Sequence, residues 1–264
     1  EQGLLPIPQV RQGKTEEVVL DVGQEYGAYA QSFPFDCPNP ERIRHQLYQY
    51  LVGHQGENGS WGIPPQDTFA PLALLASGEK PYLEAVKKNV QMHARTTSAE
   101  DNSWLINWRY MAAAIVMSEY HLATGEKWVL KELEEVYAFL CSSQYINMNQ
   151  INEKVKETHP HAYPKDEIDS HGGWGHNPGF EGYGPISMLT AQGALAFALM
   201  YRCGIDIDPG RHQAAYNFLQ RSAGANGYIW YKDQPSGEND WADMGRTGTS
   251  AIAHQLSPYQ DGVY

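Results

Sequence analysis

Apolar positions in this chain follow two periods. Over residues 14–22 they alternate, with Val18, Leu20 and Val22 on one face and Glu17, Val19 and Asp21 on the other. A period of two predicts a β-strand. A lone strand is not stable in water, so its expected partner is a strand outside this sequence or a short strand within residues 1–12. Residues 26–40 form a Pro- and aromatic-bearing connector. It ends in Asp36-Cys37-Pro38-Asn39-Pro40, a helix-entry signal. From Glu41 the period becomes helical: Ile43, Leu47, Tyr50 and Leu51 predict a helix over 41–52.

A larger unit then repeats. Gly59-Ser60-Trp61-Gly62, Asp101-Asn102-Ser103-Trp104, His171-Gly172-Gly173-Trp174-Gly175 and Ala225-Asn226-Gly227-Tyr228 each precede an apolar stretch. These stretches predict buried helices near residues 68–77, 105–123, 185–202 and 246–256, with Ala73, Ala113, Ala194 and Ala251 inside. Pro185 sits where the first residue of the third should fall. That helix carries Ser187, Ala191, Gly193, Ala194, Ala196 and Ala198, small enough for backbones to approach closely. The far ends repeat too. Ser77-Gly78-Glu79-Lys80 and Thr124-Gly125-Glu126-Lys127 match, and Cys203-Gly204 makes a third such turn. The glycine closes one helix in the left-handed conformation. Amphipathic outer helices follow over 81–95, 128–144 and 210–222. Insertions at 145–170 and 231–243 both precede inner helices, which places them on one face, where repeat proteins often do their work.

Composition narrows the functional classes. Nineteen basic against 31 acidic residues leave a net charge of −12. That disfavours nucleic acid as a partner, and it would repel an acidic polymer unless a local basic patch intervened. Cys37, Cys141 and Cys203 are widely spaced, so no disulfide framework or zinc ribbon is implied. No apolar run reaches the roughly 20 residues of a membrane span. With seven Trp and 17 Tyr, the loop aromatics are read either as sugar contacts or as packing.

An inner helix alternating with an outer one, each inner helix entered through a Gly–aromatic loop, resembles the α/α-toroid. Terpenoid cyclases, protein prenyltransferase β-subunits, polysaccharide lyases and glycosidases share that barrel. Gly59-Ser60-Trp61-Gly62 and Gly172-Gly173-Trp174-Gly175 resemble the loops of the cyclase group. The strand-then-helices order also resembles a bacterial family in which a PDZ domain precedes the toroid. The resemblance implies an all-α, toroid-like domain over 37–264, behind an N-terminal β segment and connector over 1–36. A full toroid has six helix pairs, so the pairs here imply an open arc or a longer protein.

The chemistry implied by isoprenoid relatives is not written in the sequence. The one Asp-x-Asp, Asp206-Ile207-Asp208, falls at an outer turn, and no DDxxD magnesium motif exists. His159, His161, Asp166, Asp169, His171 and His176 crowd one loop, but without a recognised ligand spacing; they are expected to bond loop backbone rather than a metal. No cofactor is implied. Carbohydrate handling outside the cytoplasm, secreted or periplasmic, is the leading expectation, by an enzyme or a binding module. The alternative is a structural or protein-interaction toroid. Candidate catalytic groups are His171, His176, Glu181, Asp240, Asp243 and Arg246, the last three spaced to share a helical face. Candidate sugar-contacting rings are Trp61, Trp104, Trp174, Tyr183, Trp230 and Trp241. These groups are expected to converge in one cleft, where helix N-termini would favour an anion.

Overall fold

The computed structural model describes residues 4–11, 14–21, 31, 32, 35, 37–97, 105–224, 227–233 and 244–258. The chain divides into two compact units, Glu1–His54 and Gln55–Tyr264. Among the described residues it is predominantly helical, with nine α-helices and one β-hairpin.

The first unit holds strands β1 (Leu4–Arg11) and β2 (Lys14–Asp21) and helix α1 (Pro38–Gly53). The strands are antiparallel, with Leu5 opposite Leu20 and Ile7 opposite Val18. The partner of residues 14–21 is therefore the preceding segment of the same chain. Pro6 and Pro8 lie within β1. They are tolerated because each strand of a two-stranded sheet keeps a free edge, where a missing N–H costs nothing. Val22 lies outside the described residues.

The second unit begins with α2 (Pro64–Ala76) and α3 (Lys80–Thr96). It continues with α4 (Ile106–Thr124), α5 (Val129–Ser143) and the single turn α6 (Val155–Thr158). It ends with α7 (Ser187–Arg202), α8 (Pro209–Arg221) and α9 (Met244–Leu256). Helices α2, α4, α7 and α9 pack in succession; α3 lies against α2 and α4, α5 against α4 and α7, and α8 against α7. The pattern of side chains explains the two layers. Helix α4 is buried without a break from Tyr110 to Ser118, and most of α7 is buried as well. By contrast α5 buries the single stripe Val129, Leu133, Val136, Leu140 and Ser143, as an outer helix should.

Ala113 and Ala194 are fully buried, as the pattern predicts, but Ala73 is half-buried and Ala251 exposed. Leu74 and Ala253 take those two inward positions, one and two residues on, with no exposure. Helix α7 starts at Ser187 rather than Pro185, with Ile186 as an extended N-cap. Gly78, Gly125 and Gly204 follow their helices with φ of 68°, 73° and 89°.

Two histidines tie outer helices to inner ones. Pro71 sits inside α2 and has no N–H for the carbonyl of Asp67, four residues earlier. His93 of α3 supplies the donor instead, its Nε2 lying 3.3 Å from that oxygen. His212 of α8 makes the matching bond to the Ala194 carbonyl of α7 at 3.1 Å. A carbonyl only accepts, so both rings carry the proton on Nε2.

Candidate functional site

The glycine-rich loop before α7 is held from three sides. Gly172 N–H donates to the Tyr145 carbonyl at 2.7 Å, Tyr145 N–H to the Gly173 carbonyl at 2.9 Å, and Gln144 Nε2 to the Gly172 carbonyl at 2.8 Å. Gly172 has φ +88°, and a Cβ there would lie 2.1 Å from the Ala214 carbonyl oxygen, so only glycine fits. On the other side, the loop is stitched to the start of α4. Asn107 Nδ2 donates to the Gly175 carbonyl, Leu105 N–H to Asn177 Oδ1, and Trp108 Nε1 to His176 Nδ1, at 2.8, 2.9 and 2.9 Å. The His176 ring also stacks on Trp108.

The insertion over 145–170 is folded rather than slack. Two 3-10 turns (Met148–Gln150 and Pro160–Ala162) flank α6. Tyr145, Val155 and Phe180 form a small core of their own, with Ile151 and Tyr163 against it. Asp166 and Asp169 serve the backbone: Asp166 Oδ1 accepts from the N–H groups of Ile168 and Asp169, and Asp169 Oδ2 from that of Lys165.

Between this insertion and the end of α8 lies a cavity of about 570 Å³. That is within the roughly 300–1,000 Å³ of small-molecule sites. Ile146, Asn147, Met148 and Asn149 line one side, Glu167, Ile168 and His171 another, and Asn217 and Arg221 of α8 a third. Behind it stands a fixed ion pair. Arg221 Nε donates to Asp233 Oδ2 at 3.0 Å, and Nη2 to the His171 carbonyl at 2.7 Å. The same Asp233 oxygen accepts the Ser170 N–H at 2.9 Å. Ser170 is buried with φ 68°, an unusual conformation for a residue bearing a Cβ. Such local strain persists only where the surroundings over-determine it, and it clusters at functional sites. Here Asp233 and Arg221 are what hold it.

Electrostatics follow from this burial. Desolvation raises the Asp233 carboxyl even though the Ser170 N–H and Arg221 oppose the shift. Desolvation, helped by Arg221, lowers His171, so its ring is neutral near pH 7. That ring has no hydrogen-bond partner among the described residues. Burial also lowers His176, raises the Cys141 thiol and pushes Cys203 up to about 11. Neither of these two thiols is poised as a thiolate nucleophile.

The expected cleft is only partly assembled. Of its described members, His171 lines the cavity. His176 serves the α4 joint, and Glu181 is exposed away from the cavity lining. Tyr183 is 49% exposed and takes His159 edge-on at 4.7 Å. Trp174 has no exposure, donates from Nε1 to the Leu140 carbonyl, and is a core ring rather than a platform for a ligand. Trp230 is buried, with no partner for its indole N–H among the described residues. Trp61 is half-buried, its backbone N–H held by Asp67 Oδ1 at 2.6 Å. Trp104, Asp240, Trp241 and Asp243 lie outside the described residues, and for Arg246 only the backbone, in α9, is described. The cavity sits at the C-terminal end of α8, and Arg221 is the cation in its lining. Asp208, in the one Asp-x-Asp, caps α8 by accepting from Gly210 and Arg211 N–H.

Among the described residues no three His, Cys, Asp or Glu side chains are placed to share a metal ion. No helix among them is long and apolar enough to cross a membrane. Fold and site define a predominantly helical domain of layered helices with a polar cavity beside its glycine-rich loop. The chain belongs to the family described as Domain of unknown function (DUF6288), whose model matches residues 40–263. Neither the curated proteins nor the solved structures yield a match.

Proposed function

We propose that this domain handles carbohydrate outside the cytoplasm, binding a sugar in the cavity between the insertion and α8, within an arc of an α/α-toroid. The succession α2, α4, α7, α9, with α3, α5 and α8 outside it, supports the toroid. The observation that carries the sugar reading is the lining itself: three asparagine amides, a glutamate, a neutral imidazole and a guanidinium in one small cavity. Sugars present donors and acceptors side by side, and amides match both. Asn149 is exposed, and Asn217 Oδ1 already accepts from Gln213, leaving its N–H groups for a ligand. No Trp or Tyr lines the cavity, so recognition rests on these polar groups rather than on ring stacking.

The test is calorimetric titration of the intact protein with a panel of neutral and acidic oligosaccharides. A bound sugar is expected to lose affinity by roughly tenfold in Asn149→Ala/Asn217→Ala, since each lost hydrogen bond costs about 0.5–1.5 kcal/mol. The melting temperature should stay at the parent value. Absence of affinity for every oligosaccharide would favour the second reading, a non-catalytic scaffold. That reading draws on the filling of the inner layer by its own rings, among them Trp174, Phe197 and Tyr110.

A further inference from the structure

The Arg221 guanidinium is clamped on one edge and open on the other. Nε and Nη2 are committed to Asp233 and to the His171 carbonyl. Nη1 makes no hydrogen bond among the described residues. The arginine side chain keeps 23% exposure and lines the cavity, while the Asp233 carboxylate behind it has 0%. The pair therefore turns its cation toward the cavity and its anion toward the interior. The guanidinium carbon also lies over the Phe218 ring, 5.8 Å from its centroid. A guanidinium fixed in this way loses little freedom on meeting an anion.

The other polar groups around it point to the same ligand. The Asn149 and Asn217 amides offer N–H donors, and the backbone oxygens just before the arginine in sequence are already taken. The Phe218 and Leu219 carbonyls accept from Ser222 N–H, the Gln220 carbonyl from Ala223 N–H, and the His171 carbonyl from Arg221 itself. Glu167 is the carboxylate in the lining and is solvent-exposed, and Asp166 beside it also feels the Arg221 charge. On a chain of net charge −12, this is a local donor-rich patch.

We propose that Arg221 reads a carboxylate on the bound sugar, making the cavity selective for a uronic-acid residue over its neutral counterpart. This rests on the sugar reading above. The free Nη1 edge donates to the carboxylate, and the amides hold the ring hydroxyls. Asp233 and Ser170 act as positioning residues that keep the guanidinium edge turned outward.

The experiment compares a uronic-acid disaccharide with the same disaccharide carboxyl-reduced, both titrated into the full chain. The acidic form is expected to bind about tenfold tighter, the margin of one good charge-assisted contact. That ratio should fall toward one in Arg221→Lys, which keeps a charge but cannot bond Asp233 and the His171 carbonyl while also donating to the ligand. It should rise in Glu167→Gln, at an exposed position, which removes the carboxylate from the lining. Equal or tighter binding of the neutral disaccharide, or a ratio that ignores both substitutions, would overturn the carboxylate inference while leaving the sugar reading in place. Binding of neither disaccharide, nor of any other oligosaccharide, would overturn both.

Discussion

Trp174→Ala is expected to lower stability by about 3–5 kcal/mol, the range for truncating a buried large aromatic. In a domain of this size that is a fall in melting temperature on the order of 10 °C. The ring has no exposure, meets Phe197 edge-on at 5.4 Å, and lies over Gly193, where a Cβ would come within 2.7 Å of it. Its indole N–H donates to the Leu140 carbonyl of α5, and its backbone N–H to Thr190 Oγ1 of α7. One side chain thus joins the glycine-rich loop, an outer helix and an inner helix. Trp174→Phe should lose less, since it keeps most of the apolar area and forfeits the hydrogen bond. Thermal melts by circular dichroism decide it. A parent-like melt for Trp174→Ala would show that the ring is not part of the core.

Acid should weaken the fold well above the range where ordinary carboxylates titrate. Burial lowers His93 and His212 from 6.5 to about 4, although the carbonyl bond each makes works against the shift. Their folded values lie below the unfolded one. The unfolded chain therefore takes up protons between about pH 6.5 and 4 that the folded chain refuses. Stability is held above that window and lost as pH falls through it. From pH 7 to pH 5 the loss is roughly 2 kcal/mol per histidine. His171, His176 and His254 are also lowered by burial and act with the same sign. Asp233 and Glu119 are raised by burial and oppose the trend, adding stability as pH falls from their raised folded values to the ordinary carboxylate range. Denaturant midpoints measured from pH 7 to pH 5 should fall steadily. In His212→Gln the slope should be shallower; an unchanged slope would mean that His212 is not buried neutral in solution.

The helical layers were readable because their signal is local. A period of 3.6 marks α3 and α5, unbroken apolar runs mark α4 and α7, and a left-handed glycine follows Ser77, Thr124 and Cys203. The hairpin partner was obscured by Pro6 and Pro8, which interrupt the alternation that identifies residues 14–21. Burial of Ala73 and Ala251 was misjudged by one or two positions, because an apolar helix carries little information about which side faces in.

The site was legible only in outline. The insertion over 145–170 supplies much of the cavity lining, and His171 stands at its edge. The residues that shape the cavity were not readable, since Ser170 meets Asp233 across 63 positions and Arg221 meets His171 across 50. Nothing in the pattern distinguishes Arg221 from any other basic residue in the last turn of an amphipathic helix. Trp174 misled for a physical reason: the same Gly–Trp spacing that displays a ring to a ligand also lets it fold back onto Gly193.

The most direct test of the central claim is amide hydrogen exchange on the full chain, with and without a saturating uronic-acid oligosaccharide. Binding in the cavity predicts slowed exchange over residues 146–149, 167–171 and 217–221, with the Gly59–Gly62 loop and α3 unchanged. Slowed exchange confined to residues outside those three segments, or no change anywhere, would contradict the account.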